Sequence, residues 1–168
     1  MNKTKPIPKL FDMNNKVVVL TGSSGRLGTE YSHILSQSGA QLVLIDKNSK
    51  QNEKLANSLK NQYHSNPLTI STDISNSNEV KDMVTIIIKK FKKIDVLINN
   101  LGVTFPNTSK TSYSKNDWNK TLEINLTTAF NCSETVISFM KKQKSGSIIN
   151  ITSINAEFGF PNNPAYIA

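Results

Sequence analysis

Eight consecutive residues, Thr21-Gly22-Ser23-Ser24-Gly25-Arg26-Leu27-Gly28, hold three of the chain's seven glycines. They follow a short apolar run and open a helical pattern. In that context backbone N–H groups at a helix N-terminus can hold a pyrophosphate. Gly22 would allow the tight turn, Gly25 close approach of phosphate to backbone, and Gly28 packing of helix on strand. Thr21, Ser24, Arg26 and Leu27 complete the candidate cofactor-binding turn. The competing interpretation is an ordinary glycine-rich connection. Asp46, ending the next apolar run, can accept hydrogen bonds from an adenosine ribose and repel a 2′-phosphate, which favours NAD over NADP. Arg26 and Lys47 pull the other way, because either could reach that phosphate, and Asp46 could simply begin the following loop.

The elements that must position these residues alternate regularly. Apolar runs at 16–21, 41–46, 67–72, 94–98 and 147–151 have the length and continuity of strands buried on both faces. Between them, Leu27, Tyr31, Ile34 and Leu35 recur at helical spacing up to Gly39. A polar helix follows over 50–63, with Leu55 and Leu59 on its inner face. Val80, Met83, Val84, Ile87, Ile88 and Phe91 make the cleanest amphipathic stripe, and a long helix is expected over 116–140. Five strands alternating with four helices predict an α/β fold: a Rossmann-like, doubly wound parallel sheet with right-handed crossovers. The expected organisation is one domain over 1–168, with an N-terminal extension at 1–15; the segment 103–115 is the other stretch least constrained by pattern.

Composition excludes several classes. The chain has 168 residues, a net charge of +8 and one cysteine, so no disulfide framework is available. No Cys/His cluster has zinc-ligand spacing, and no metal is expected. No apolar run approaches the ~20 residues needed to span a bilayer, and the N-terminus lacks the apolar core of a signal peptide. A soluble, cytoplasmic protein without membrane partners is expected. The positive charge does not argue for nucleic acid: of 20 basic residues only Arg26 is arginine, and the lysines are dispersed. His33 and His64 are expected at the surface, and Cys132 in packing rather than reactivity.

Taken in order, further motifs resemble those of the short-chain dehydrogenase/reductase family over nearly the whole chain. Asp73, in S-T-D-I-S, matches the family aspartate that contacts the adenine amine. Asn99-Asn100-Leu101-Gly102 is similar to the family's N-N-A-G, which makes Asn99 and Gly102 candidate cofactor-binding residues. Asn125, in E-I-N-L-T-T-A-F, falls where the family has a helix asparagine. Ser153 and Tyr166 stand 13 residues apart, as the family's catalytic serine and tyrosine do.

The resemblance implies hydride transfer between nicotinamide and an alcohol, ketone or sugar-like substrate. Tyr166 would be the general acid/base. A tyrosine ordinarily titrates near about pH 10, and a neighbouring ammonium together with the nicotinamide charge brings that down. Ser153 would hold the substrate oxygen. Asn125 would hold a relay water and relieve strain in the long helix. The family's usual turn is T-G-x-x-x-G-x-G, whereas Arg26 stands at its second glycine. The observed spacing is that of the extended branch of nucleotide-sugar epimerases and dehydratases, but the N-N-L-G segment belongs to the short-form branch, which is preferred. The family's Tyr-x-x-x-Lys motif would put Lys four places after Tyr166, and the sequence stops at Ala168. The expectation is therefore a fragment of a longer, homo-oligomeric protein, with little activity of its own and with its fifth strand as an exposed apolar edge. A non-catalytic dinucleotide-binding module is the alternative.

Overall fold

A computed structural model describes residues 9–105, 113–159 and 163–168; residues 1–8 of the expected N-terminal extension and 106–112 of the expected loop lie outside the described residues. The strands are β1 (Val17–Thr21), β2 (Gln41–Asp46), β3 (Leu68–Ser71), β4 (Val96–Asn99) and β5 (Ser147–Asn150). They form one all-parallel sheet in the order β3-β2-β1-β4-β5. β1, the central strand, is buried along its whole length, as its unbroken V-V-V-L-T run requires.

Successive strand side chains point to opposite faces, and two cores result. Val17, Val19, Val43, Ile45 and Leu97 meet Val80, Met83, Val84 and Ile87 of α3 (Ser77–Phe91) and Cys132, Val136 and Met140 of α5 (Thr128–Gln143). Val18, Leu20, Leu42, Leu44 and Ile98 meet Leu55 and Leu59 of α2 (Ser49–Tyr63), with Tyr31 and Leu35 of α1 (Arg26–Gln37) at the margin. Each fully buried aliphatic side chain contributes about 1.5–3 kcal/mol. The sheet thus carries helices on both faces, as expected.

Several local outcomes differ from the sequence pattern. Leu27 and Ile34 do not face the core; they are 51% and 58% exposed, and Gly28, Ser32 and Ser36 make the buried stripe of α1. Small residues let this helix sit close to the sheet, and Ser32 satisfies its own hydroxyl by donating to the Gly28 carbonyl at 2.7 Å. α3 begins at Ser77 because the Asn76 side chain caps it by accepting from the Asn78 N–H. β4 starts two residues later than expected, at Val96, although Ile94 is fully buried ahead of it. The long helix is α4 (Lys115–Leu122), a π-helical turn over Glu123–Thr127, and then α5. Two short helices not foreseen follow the sheet: α6 (Asn155–Phe158) and α7 (Pro164–Ile167). β5 is an edge strand whose Ile149 is 43% exposed, the apolar edge that was expected. Among the described residues no helix is long and apolar enough to cross a membrane.

Candidate active site

The C-terminal ends of β1, β2, β4 and β5 open on one edge of the sheet, where chain order reverses between β1 and β4. This is where ligands bind in open α/β sheets. The glycine-rich turn after β1 is held from three sides. Asn100 donates its amide to the Thr21 and Gly22 carbonyls at 3.0 and 3.1 Å. The Thr21 hydroxyl accepts the Asn100 and Leu101 N–H groups at 3.0 and 3.2 Å. Asp46 accepts the Ser24 N–H at 3.0 Å with one carboxylate oxygen and the Asn48 N–H at 3.0 Å with the other.

Glycine is needed at two positions of this turn. Gly22 has φ +62°, and a Cβ there would stand 2.9 Å from the Leu101 Cα; a Cβ at Gly28 would lie 2.2 Å from the Gly22 carbonyl oxygen. Beyond the turn, α1 starts with Gly25 as its N-cap and no side chain capping it. Its first N–H groups therefore point outward, with Arg26 and Leu27 exposed beside them.

Three adjoining cavities make one groove along this edge. The first, about 190 Å³, is lined by Asp46, Lys47, Asp73, Ser75, Leu101 and Val103 among others. The second, about 250 Å³, lies over Gly22, Gly25, Arg26 and Gly102. The third, about 310 Å³, brings Asn125, Ser153 and Tyr166 together with Leu27, Gly102 and Ala165. Gly22, Asp46 and Leu101 border both the first and second cavities, and Leu27, Asn100, Leu101 and Gly102 both the second and third. The groove thus runs from the two aspartates, past the open helix end, to the serine and tyrosine.

Within it, the Ser75 hydroxyl and then the Ser75 N–H hold the Asp73 carboxyl below the usual carboxylate range, helped by Lys47 and opposed by partial burial. Ser153 follows β5 and accepts the Asn155 N–H at 3.2 Å, while Tyr166 rides on α7. Asn125 sits in the π-turn; its amide accepts from the Val103 N–H and donates to the Val103 carbonyl, each at 2.8 Å. Its side chain therefore ties the long helix to the segment after β4. Among the described residues no group of His, Cys, Asp and Glu could hold a metal ion.

The sequence model of a family described as short chain dehydrogenase matches residues 16–168. The chain belongs to the short-chain dehydrogenase family. An uncharacterized oxidoreductase of Staphylococcus saprophyticus is 34% identical over 157 residues, which are 92% of this chain and 62% of that protein. A 3-oxoacyl-acyl-carrier-protein reductase of Synechocystis is 32% identical over 156 residues, 91% of this chain and 62% of that protein. A crystal structure of NAD+-bound xylitol dehydrogenase superposes with a TM-score of 0.88 at 30% identity, over 92% of this chain and 59% of the other. The chain thus spans about 62% of the length of the curated relatives it matches.

Not every expected residue of this short-chain dehydrogenase chain reaches the groove. Asn99 does not. It is 5% exposed, and its amide donates to Asn150 Oδ1 at 2.8 Å and Ser133 Oγ at 3.0 Å, joining β4 to β5 and α5. Its neighbour Asn100 is the one that reaches the turn. Besides Asn100, two supporting residues were missed. Asn52, 1% exposed, accepts the Ser23 hydroxyl; Asn163 bonds Thr104 and lies 3.3 Å from the Tyr113 hydroxyl, holding the start of α7 over the groove. A signal existed for Asn52, which continues the Leu55 and Leu59 stripe at i, i+3, i+7.

Proposed function

We propose that this chain binds NAD and supplies the cofactor-binding part, with a serine–tyrosine pair, of an oxidoreductase acting on a small alcohol or carbonyl substrate. The observation that carries this is the continuity of the groove between Asp46 and Asp73 at one end and Ser153 and Tyr166 at the other. The residues present fit a dinucleotide. An uncapped helix N-terminus adjoins the backbone of Gly25, whose missing side chain leaves the approach clear. An ionised Asp73 suits an exocyclic amine. The Asp46 oxygens keep lone pairs for ribose hydroxyls, and its charge opposes a 2′-phosphate, so NAD is favoured although Arg26 and Lys47 stand nearby.

When bound, nicotinamide supplies or accepts the hydride. Ser153 Oγ would donate to the substrate oxygen, and the Tyr166 hydroxyl would pass a proton to or from it. Leu27, Leu122 and Ala165 make the wall beside them apolar and limit water there. For the whole protein, a small-molecule substrate, a cytoplasmic setting and a homo-oligomer are part of the same proposal.

The test is isothermal titration of the chain with NADH and NADPH. The expected result is tighter binding of NADH, with the preference narrowed in Asp46→Ala. Absence of heat with both dinucleotides overturns the proposal. Binding without turnover on any alcohol or ketone in the longer protein would leave a dinucleotide-binding module without catalysis.

A further inference from the structure

One buried polar group beside the groove has no role in the chemistry above. α2 turns a leucine face, Leu55 and Leu59, toward the sheet, yet the same face carries Asn52 at 1% exposure. A buried amide is costly unless bonded, and a leucine would fill such a site without that cost. Asn52 instead makes two directed bonds. Its Oδ1 accepts the Ser23 hydroxyl at 2.7 Å, and its Nδ2 donates to the Leu44 carbonyl of β2 at 2.9 Å. Ser23 is itself fully buried, and its N–H donates to the Ile45 carbonyl at 3.2 Å. The next residue, Ser24, gives its N–H to Asp46. The stretch between Gly22, in its left-handed conformation, and the start of α1 is therefore placed by β2 and α2, not by β1 alone.

We infer that Asn52 is a positioning residue of the dinucleotide site: through the Ser23 hydroxyl it locks the turn at the α1 N-terminus in register with Asp46. The inference rests on the dinucleotide reading of the groove. A dinucleotide must reach the helix end with its pyrophosphate and Asp46 with its ribose at the same time. Any slack between these two points costs affinity, because the ligand must then order them. The bridge removes that slack before anything binds. It touches no ligand, since Asn52 lines none of the three cavities.

The experiment compares Asn52→Leu, Ser23→Ala and the paired variant with the parent chain. Leu59→Ala, a core truncation on the same helix, serves as a control for lost stability. NADH affinity is read by titration, stability by thermal unfolding, and turn order by amide hydrogen exchange in the ligand-free chain. The two single variants and the pair are expected to weaken NADH binding by about three- to tenfold, the factor equivalent to one lost net hydrogen bond. They should also speed exchange at the bonded amides of the turn, Ser23, Ser24 and Gly25. In the pair, apolar replacement of both partners should recover thermal stability but not affinity. Leu59→Ala should lose stability and keep NADH affinity within about twofold. Unchanged affinity and exchange in the Asn52 and Ser23 variants would overturn the inference and make the bridge an ordinary packing contact. If the parent chain binds no NADH, the dinucleotide proposal fails, and the exchange data in the ligand-free chain still decide whether Asn52 orders the turn.

Discussion

Gly25 and Gly28 are three residues apart in one turn, and an added methyl group should act on them in opposite ways. At Gly28 a Cβ would meet the Gly22 carbonyl oxygen at 2.2 Å and the Ser23 Cα and carbonyl oxygen at 2.8 Å. Reaching an ordinary 3.4 Å contact with the Gly22 oxygen requires roughly 1.2 Å of withdrawal between close-packed backbones. The turn cannot give freely, because Asn52, Asp46 and Asn100 all hold it. Overpacking of this kind costs about 1–3 kcal/mol, and the upper end applies to a fixed backbone; replacing a helical glycine returns about 1 kcal/mol. Gly28→Ala should therefore lose about 2 kcal/mol net, or about 4–8 °C in Tm for a chain of this size.

At Gly25 the backbone has φ −70° and ψ 171°, open to any residue, and a Cβ would meet only the Gly22 oxygen, at 3.2 Å. Gly25→Ala should change stability by less than about 1 kcal/mol, because the unfolded-state gain of about 0.4–1 kcal/mol is offset by the tight contact with a Gly22 oxygen that Asn100 holds. Its methyl group stands at the open end of α1, however, where a phosphate would sit. Loss of one charge-assisted hydrogen bond is worth about 1.5–3 kcal/mol, so NADH affinity should fall by at least about tenfold. Urea unfolding followed by circular dichroism and NADH titration of both variants separate the two effects. A stable Gly28→Ala, or a Gly25→Ala that binds NADH as well as the parent, would refute the account of the turn.

Three other outcomes follow from the geometry. Burial acts to raise the Asp95 pKa, but the Val17 N–H together with Lys93 and Lys16 outweighs it, and the net position is below the usual carboxylate range. The group therefore stabilises the fold at neutral pH, and that contribution is lost as pH falls below about 4; Asp95→Asn should flatten the acid limb of a pH–stability curve. Burial pushes the Cys132 thiol up to about 12, so a disulfide reagent should leave the native chain unlabelled at pH 8 and react fully only in denaturant. Asn125→Ala should orphan the Val103 N–H and carbonyl, cost about 1–3 kcal/mol, and raise the exchange rate of the Val103 amide.

The sheet was legible because a strand buried on both faces must be apolar along its buried stretch, and 17–20 and 42–45 are. α1 was not. Its leucine and isoleucine stripe looks like a core face, while the true contact uses Gly28, Ser32 and Ser36, since close approach demands small side chains and not apolar ones. The π-turn around Asn125 was equally hidden, because one extra residue in a turn leaves no mark on a 3.6-residue period. In the site, the glycines, Asp46, Asp73, Ser153 and Tyr166 were visible as types at fixed spacings. The supports were not, because Asn52 and Asn163 act through partners 29 and 59 residues away in a chain rich in asparagine.

The central place of β1 also bears on how the chain is made. β2 covers one side of it early, but its other side waits for β4, whose Val96 pairs with Val18. At about 5–20 residues per second, synthesis of the intervening stretch of roughly eighty residues takes about 4–16 seconds. For that interval the nascent polypeptide presents an unpaired Val18–Leu20 edge, a template open to mispairing with another chain until the sheet closes.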